Sequence, residues 1–175
     1  MRSVKVVITG PFNAGKTTFI KSVSEIAVLS TERQLSVASG EGAGETTVAM
    51  DFGRITISDD VVLYLFGTPG QQRFSFMWET LSEGMLGFVF VVDASAEDSV
   101  QAAIDMIGFF TTMSDVPFVV AANKVPLDDP SALTELRERL GLAASIPLLP
   151  VDARDRASVK GVLLGLLQCV LDSVG

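Results

Sequence analysis

Five short, nearly uninterrupted apolar runs set the strongest limit on how this chain can fold: Val4 to Thr9, Val61 to Phe66, Phe88 to Val92, Phe118 to Ala122 and Leu148 to Val151. Each has the length of a strand, and a strand apolar on both alternating faces has to be covered on both. A parallel sheet flanked by helices meets that condition, whereas a half-exposed antiparallel sheet would alternate strictly. A sixth segment, "VAMDFGRITIS" at 48–58, alternates more and carries charges, which suits an edge strand. Its closeness to the run starting at Val61 predicts that these two strands pair antiparallel.

Helical patterns fill the intervals. In the last one Val159, Val162, Leu163, Leu166, Leu167, Val170 and Leu171 recur at steps of three and four, defining one apolar stripe that also carries Cys169. The stretch "DDPSALTELRERLG" opens with an acid before Pro130, places leucines at 133, 136 and 140, and stops at Gly141. The order β-α-β-β-α-β-α-β-α-β-α predicts an α/β three-layer sandwich around a six-stranded, mostly parallel sheet. No repeat or linker interrupts it, and 175 residues that are 48% hydrophobic and 19% charged predict one domain over 1–175.

Composition removes several classes. A net charge of -8 argues against a nucleic-acid or anionic-membrane surface, both of which recruit clustered Lys and Arg. The lack of histidine removes His-dependent triads and His metal sites. Cys169, the single cysteine, cannot form an internal disulfide and suits a small core residue in a reducing compartment. The start "MRSVKVVITG" is too short and strand-like for a signal peptide, and no apolar run approaches the about 20 residues that span a bilayer. With no prenylation signal in "LDSVG", a cytoplasmic protein without a direct membrane anchor is expected.

The segment "GPFNAGKTT" matches G-x-x-x-x-G-K-[ST] in full from Gly10 to Thr17. Its context is right, because it follows the first apolar run and enters the helical pattern "TTFIKSVSE". Glycines there let successive N–H groups and the positive helix end point at phosphates. Lys16 then reaches the β and γ phosphates, and the Thr17 hydroxyl ligates Mg²⁺. A glycine-rich turn before an ordinary helix would leave Lys16 unexplained in a first turn, where the helix dipole disfavours a cation.

At these residues the chain resembles the small Ras-like GTPases, and within them the bacterial Roadblock-associated type that is similar to Arf, Rab and the gliding-motility GTPases. "GPFNAGKTT", "TTVAMDFG", "LFGTPGQQRF", "FVVDAS", "AANK" and "DAR" come in the family's order along essentially the whole chain. The resemblance implies a P-loop NTPase sandwich with sheet order 2-3-1-4-5-6 and strand 2 antiparallel. It also implies GTP/GDP and Mg²⁺ as ligands, slow GTP hydrolysis, and nucleotide-dependent signalling through switches I and II. A Roadblock-type regulatory protein and sensor-kinase components are the implied partners.

Residue by residue, the resemblance assigns nucleotide contacts to Gly10, Asn13, Ala14, Gly15, Lys16, Thr17 and Thr18. From "VDAR" it adds Arg154 and Ala153, the latter offering its N–H to the guanine oxygen. "TTVAMDFG" matches the end of switch I, with Thr47, or Thr46 as fallback, closing over Mg²⁺ beside Thr17; the bland alternative is a β-branched residue starting a strand. The long interval before Thr47 implies an insertion within 25–46, where "SGEGAGE" is flexible by composition. "GTPGQQRF" resembles switch II, in which Gly70 offers its N–H to the γ-phosphate and Gln71 orients the attacking water. Gln71, Lys16 and Thr47 form the implied catalytic set.

Two positions depart from the pattern. Gly67 stands where the family carries the Asp that holds Mg²⁺ through water, and Asp93 is either a helix cap or a metal-side acid. Asn123-Lys124-Val125-Pro126 replaces Asn-Lys-x-Asp. Asn123 and the stem of Lys124 still shape a base pocket, but Pro126 cannot supply the acid whose bonds to guanine are worth roughly 1.5 to 3 kcal/mol each. Asp128 is the candidate substitute, with capping of the next helix as the other reading. After Gln71, "RFSFMWETL" groups Phe74, Phe76, Met77 and Trp78, which suit a partner interface with Phe76 and Trp78 exposed, or packing beneath the second helix. Arg73 and Arg33 are candidate cations acting in cis. Two rivals stand beside the switch: a degenerate GTPase fold serving as an interaction module, and an ATPase or small-molecule kinase.

Overall fold

A computed structural model of the chain describes residues 1–37 and 44–175, with side chains described for these except 30–37, 44–49 and Gln72. The strands are β1 (Arg2–Thr9), β2 (Leu29–Val37), β3 (Gly44–Ser58), β4 (Val61–Gly67), β5 (Gly87–Asp93), β6 (Phe118–Asn123) and β7 (Leu148–Val151). Helices α1 (Lys16–Val23), α2 (Phe76–Ser82), α3 (Glu97–Met113), α4 (Pro130–Leu140) and α5 (Arg156–Val174) lie between or after them. All seven strands form one sheet in the order β2-β3-β4-β1-β5-β6-β7.

The order expected for six strands is present as β3-β4-β1-β5-β6-β7, with β1, β4, β5, β6 and β7 parallel and β3 antiparallel to β4. The expectation that 48–58 forms the edge is corrected: β2 pairs with β3 from Leu29↔Phe52 to Val37↔Gly44 and is itself the outermost strand. Its sequence, LSTERQLSV, is mostly polar, as an edge strand tolerates.

Alternation along the central strands divides the core in two. Val6, Ile8, Val89, Val91, Val119 and Ala121 point to the face covered by α1 and α5, where Phe19, Ile20, Val159, Leu163 and Leu166 pack. Val7, Phe88, Phe90, Val92, Val120 and Ala122 point to the other face, covered by α2, α3 and α4. The apolar stripe of α5 is buried at Val159, Val162, Leu163 and Leu166, while Leu171 near its end is exposed. Cys169 packs against this core, and burial raises its thiol pKa. By length and mean hydropathy α5 is also apolar enough to cross a membrane, a test that helices packed on a core pass as well.

Trp78 overturns one expectation. Rather than facing a partner it is fully buried, packed against Phe109 and Phe110 of α3 at ring-centroid distances of 5.2 and 5.6 Å. Its indole N–H donates to the Pro69 carbonyl at 2.7 Å, so the ring pins the turn after β4 to the core. Phe74 is buried too, whereas Phe76 is exposed as expected.

Candidate functional site

A cavity of about 920 Å³ opens at the carboxyl ends of β1, β4, β6 and β7, where doubly wound sheets place their ligands. Its floor is the turn between β1 and α1. Gly10 enters that turn at φ +141°, and a Cβ there would lie 2.0 Å from the Val91 carbonyl oxygen, so glycine is required. Gly15 leaves it at φ +107°, with a hypothetical Cβ 2.5 Å from Asn123 Nδ2. Asn13, at φ +63°, uses the left-handed region that asparagine tolerates best.

Lys16 opens α1 and is almost buried, its ammonium donating to the carbonyls of Gly10 at 2.6 Å and Pro11 at 2.7 Å. Desolvation lowers its pKa from 10.5 to about 8, with the attraction of Asp51 opposing the shift. Such a cation, buried at a helix start, is arranged to exchange carbonyl partners for anionic oxygens.

The position left empty at Gly67 is filled from another strand. Asp51 of β3 is the register partner of Gly67, and a Cβ on Gly67 would lie 3.2 Å from Asp51 Cβ and 2.9 Å from Ile20 Cδ1. The Asp51 carboxylate reaches into the cavity and accepts a 2.5 Å hydrogen bond from the Thr17 hydroxyl. A hydroxyl and a carboxylate side by side at the mouth of a phosphate loop are hard oxygen donors of the kind Mg²⁺ takes, so the residues fit that ion. Sequence reading missed Asp51 because it sits in the middle of a strand; the absent acid at Gly67 was the only hint of it.

The opposite wall carries the turn after β4. Thr68 and Thr9 share a buried 2.8 Å hydroxyl hydrogen bond that ties this turn to β1. Gly70 lies directly on the phosphate loop, where a Cβ would be 2.5 Å from Phe12 N and 2.6 Å from Lys16 Nζ. Gln71 also faces the cavity, and its amide oxygen accepts from Arg73 Nε at 2.7 Å. The Arg73 guanidinium stacks over the Phe74 ring, 4.8 Å from its centroid.

At the far end Asn123 joins three loops. Its Nδ2 donates to the Ala14 carbonyl at 3.0 Å, and its Oδ1 accepts from the N–H groups of Ala153 at 3.3 Å and Lys124 at 3.1 Å. Lys124 holds a left-handed backbone, φ +61°, and its ammonium donates to Asp93 at 3.2 Å. Asp93 in turn accepts from the Ser95 N–H and hydroxyl, which marks it as a turn-capping residue away from the cavity wall. Asp128 is exposed and off that wall, which Leu127 lines instead.

Of the residues singled out in the sequence, Asn13, Gly15, Lys16, Thr17, Thr18, Gly70, Gln71, Asn123, Lys124, Ala153 and Arg154 therefore converge on one cavity. Gly10 and Ala14 shape its floor from within the loop. The Thr47 backbone pairs with Gln34 in the β2–β3 ladder. The side chains of Thr47, Thr46 and Arg33 lie outside the described residues, as do residues 38–43 of the glycine-rich segment.

A family model described as "Conserved hypothetical ATP binding protein" matches residues 37–166, most of the chain. An uncharacterized protein of Methanocaldococcus jannaschii is 38% identical over 92 residues, covering 53% of this chain and 52% of that protein, about half its length. The Ras-related protein Rab-3C of Mus musculus is 25% identical over 97% of this chain and 72% of its own length. The ADP-ribosylation factor-like protein 8c of Arabidopsis thaliana is 24% identical over 95% of this chain and 88% of its own length.

Proposed function

We propose a function from the premise that the chain belongs to the conserved hypothetical ATP binding protein family. It is a nucleotide switch that binds GTP and GDP with Mg²⁺, hydrolyses GTP slowly, and presents different surfaces around Gly70 and Thr47 in the two states. The observation that carries this reading is the meeting of Lys16, Thr17, Asp51, Gly70 and Gln71 in one cavity beside a helix start. Similarity to Rab-3C and to the ADP-ribosylation factor-like protein favours GTP over ATP.

In this reading the N–H groups of the loop and Lys16 hold the phosphates. Thr17 and Asp51 would hold Mg²⁺, which when bound supplies positive charge to the phosphate oxygens. Gly70 offers its N–H to the γ-phosphate, and Gln71, once Arg73 releases its amide oxygen, orients the attacking water. Asn123 and Ala153 frame the base. With Asp51 beside Thr17, Gly67 no longer weighs toward a degenerate, nucleotide-free module. From the family resemblance come a Roadblock-type regulator, sensor-kinase components as neighbours, and action in the cytoplasm.

The test is to titrate the purified chain with labelled GTP, GDP and ATP, with and without Mg²⁺, and then follow phosphate release. Mg²⁺-dependent GTP and GDP binding with slow release is expected. Binding of none of them would overturn the switch, and tighter ATP than GTP binding would move the chain to the ATPase reading.

A further inference from the structure

The base-reading acid missing at Pro126 has no replacement in its own loop. A turn closed by the Asp129 N–H on the Pro126 carbonyl, at 3.4 Å, presents Leu127 to the cavity and leaves Asp128 off its wall. Asp129 is engaged as the N-cap of α4, accepting from the Ser131 N–H at 3.0 Å. Among the described residues, two carboxylates line the cavity: Asp51, against Thr17, and Asp152, beside Ala153 and Arg154. Asp51 is committed to the phosphate side, so Asp152 is the acid left at the base side.

We propose that Asp152 is the residue that selects guanine, its carboxylate entering from the loop after β7 in place of the acid that the Asn123–Pro126 loop lacks. This rests on the nucleotide-binding reading above. Guanine presents two adjacent donors, N1–H and the exocyclic amine, with an acceptor oxygen next to them, and a carboxylate beside a backbone N–H complements that row. Asp152 and Ala153 are consecutive, and the Ala153 N–H, which donates to Asn123 Oδ1 at a long 3.3 Å in the ligand-free chain, would exchange that acceptor for the guanine oxygen. Adenine offers an acceptor where guanine has N1–H, so the same carboxylate would face a lone pair and reject it.

The Asp152 side chain is available for this. Its Oδ1 accepts from the Arg154 N–H at 3.0 Å and from Arg154 Nε at 3.2 Å, while Oδ2 has a single long contact of 3.5 Å to the same guanidinium. Bonding to Arg154 keeps the carboxyl below its ordinary pKa, so it stays ionised as a charged acceptor. Arg154 is largely exposed, at 83%, and can swing to solvent when a base arrives.

The experiment measures binding of GDP, XDP and ADP, each with Mg²⁺, to the full chain and its variants. Wild type is expected to prefer GDP over both others. Asp152→Asn retains the Oδ1 acceptor of the local turn but replaces one acceptor with a donor, which suits the 2-oxo group of xanthine. It should weaken GDP at least about tenfold, strengthen XDP and invert their order. A misfolded protein cannot gain XDP affinity. Asp152→Ser should collapse the preference of GDP over ADP, and Asp128→Asn should leave the GDP to XDP order unchanged. Unaltered guanine preference in both Asp152 variants, inversion by Asp128→Asn, or a wild type indifferent to the base would overturn the assignment alone. A wild type that binds no nucleotide overturns the switch reading with it.

Discussion

The Thr17 hydroxyl donates to Asp51 Oδ2 at 2.5 Å, joining the first turn of α1 to the middle of β3 across 34 residues of sequence. That bond places a carboxylate where Gly67 has none, because Asp51 and Gly67 are register partners in adjacent strands. Removing the carboxylate should therefore act chiefly on the metal, with a smaller effect on the phosphate grip through the attraction between Asp51 and Lys16. Asp51→Ala is expected to lower Mg²⁺ affinity in the nucleotide complex about 10- to 100-fold, the cost typical of losing a group that orients a metal site. Nucleotide binding in EDTA should change little. Adding Gly67→Asp to Asp51→Ala should restore part of the metal dependence, since the space of the Asp51 carboxylate is then vacant and the flexible end of Ile20, 2.9 Å from the new Cβ, can give way. Metal titrations of the two variants check this, and an Asp51→Ala protein with wild-type Mg²⁺ dependence would refute it.

Lys16 gives the site a pH dependence whose sign can be worked out. Its pKa is about 8 in the chain as described, lowered from 10.5 by burial. Phosphates beside the ammonium would raise that pKa again, so the bound form holds the proton more tightly than the free form. Affinity should be flat below pH 8 and fall as pH rises through 8 toward 10.5. Binding at about pH 8.5 should therefore take up protons. Calorimetry in two buffers of different ionisation enthalpy measures the uptake, and a buffer-independent heat would contradict it. Lys16 contributes to the ligand-free fold with the opposite sign: its burial penalty is greatest below pH 8 and is relieved between pH 8 and 10.5, so fold stability rises where affinity falls.

How far the sequence revealed this depended on whether a residue's role is local. The Gly10-to-Thr17 loop and the five apolar runs were legible because spacing and composition alone determine what they do. β2 was not legible: LSTERQLSV is an outer strand whose stability comes from pairing with β3, so it has no apolar signature of its own. Asp51 and Asp152 were illegible for another reason. Asp51 acquires its place from Thr17, a partner distant in sequence, and Asp152 precedes Ala153, whose N–H is tied to Asn123 thirty residues away. Trp78 was misjudged because adjacency to Gln71 suggested exposure, whereas the turn of α2 directs the indole inward onto Phe109 and Phe110.

The two aromatic residues of α2 should separate cleanly in stability. Trp78 is fully buried with its N–H bonded to Pro69, and Phe76 is 60% exposed. Trp78→Ala is expected to cost about 3–5 kcal/mol and also to loosen the turn carrying Gly70 and Gln71. Phe76→Ala should change stability by no more than about 0.5 kcal/mol. Urea denaturation of the ligand-free proteins distinguishes them, and equal losses would show that the burial pattern is wrong.

Asn123 couples the two ends of the cavity, and its replacement tests whether they are held as a unit. The side chain is 5% exposed, donates to Ala14 in the phosphate loop and accepts from Ala153 in the base loop. Asn123→Ala strands the Ala14 carbonyl and the Ala153 N–H, each costing about 1–3 kcal/mol where water cannot replace the partner. A stability loss of about 2 kcal/mol or more is expected, together with weaker nucleotide binding from distortion at both ends. Asn123→Asp should not rescue it: the oxygen toward Ala153 survives, but the donor toward Ala14 becomes a second oxygen facing a carbonyl. Denaturant midpoints and nucleotide titrations on both variants read the outcome. If Asn123→Asp behaves as wild type, the bond to Ala14 does not organise the loop, and the phosphate end of the site stands without support from β6.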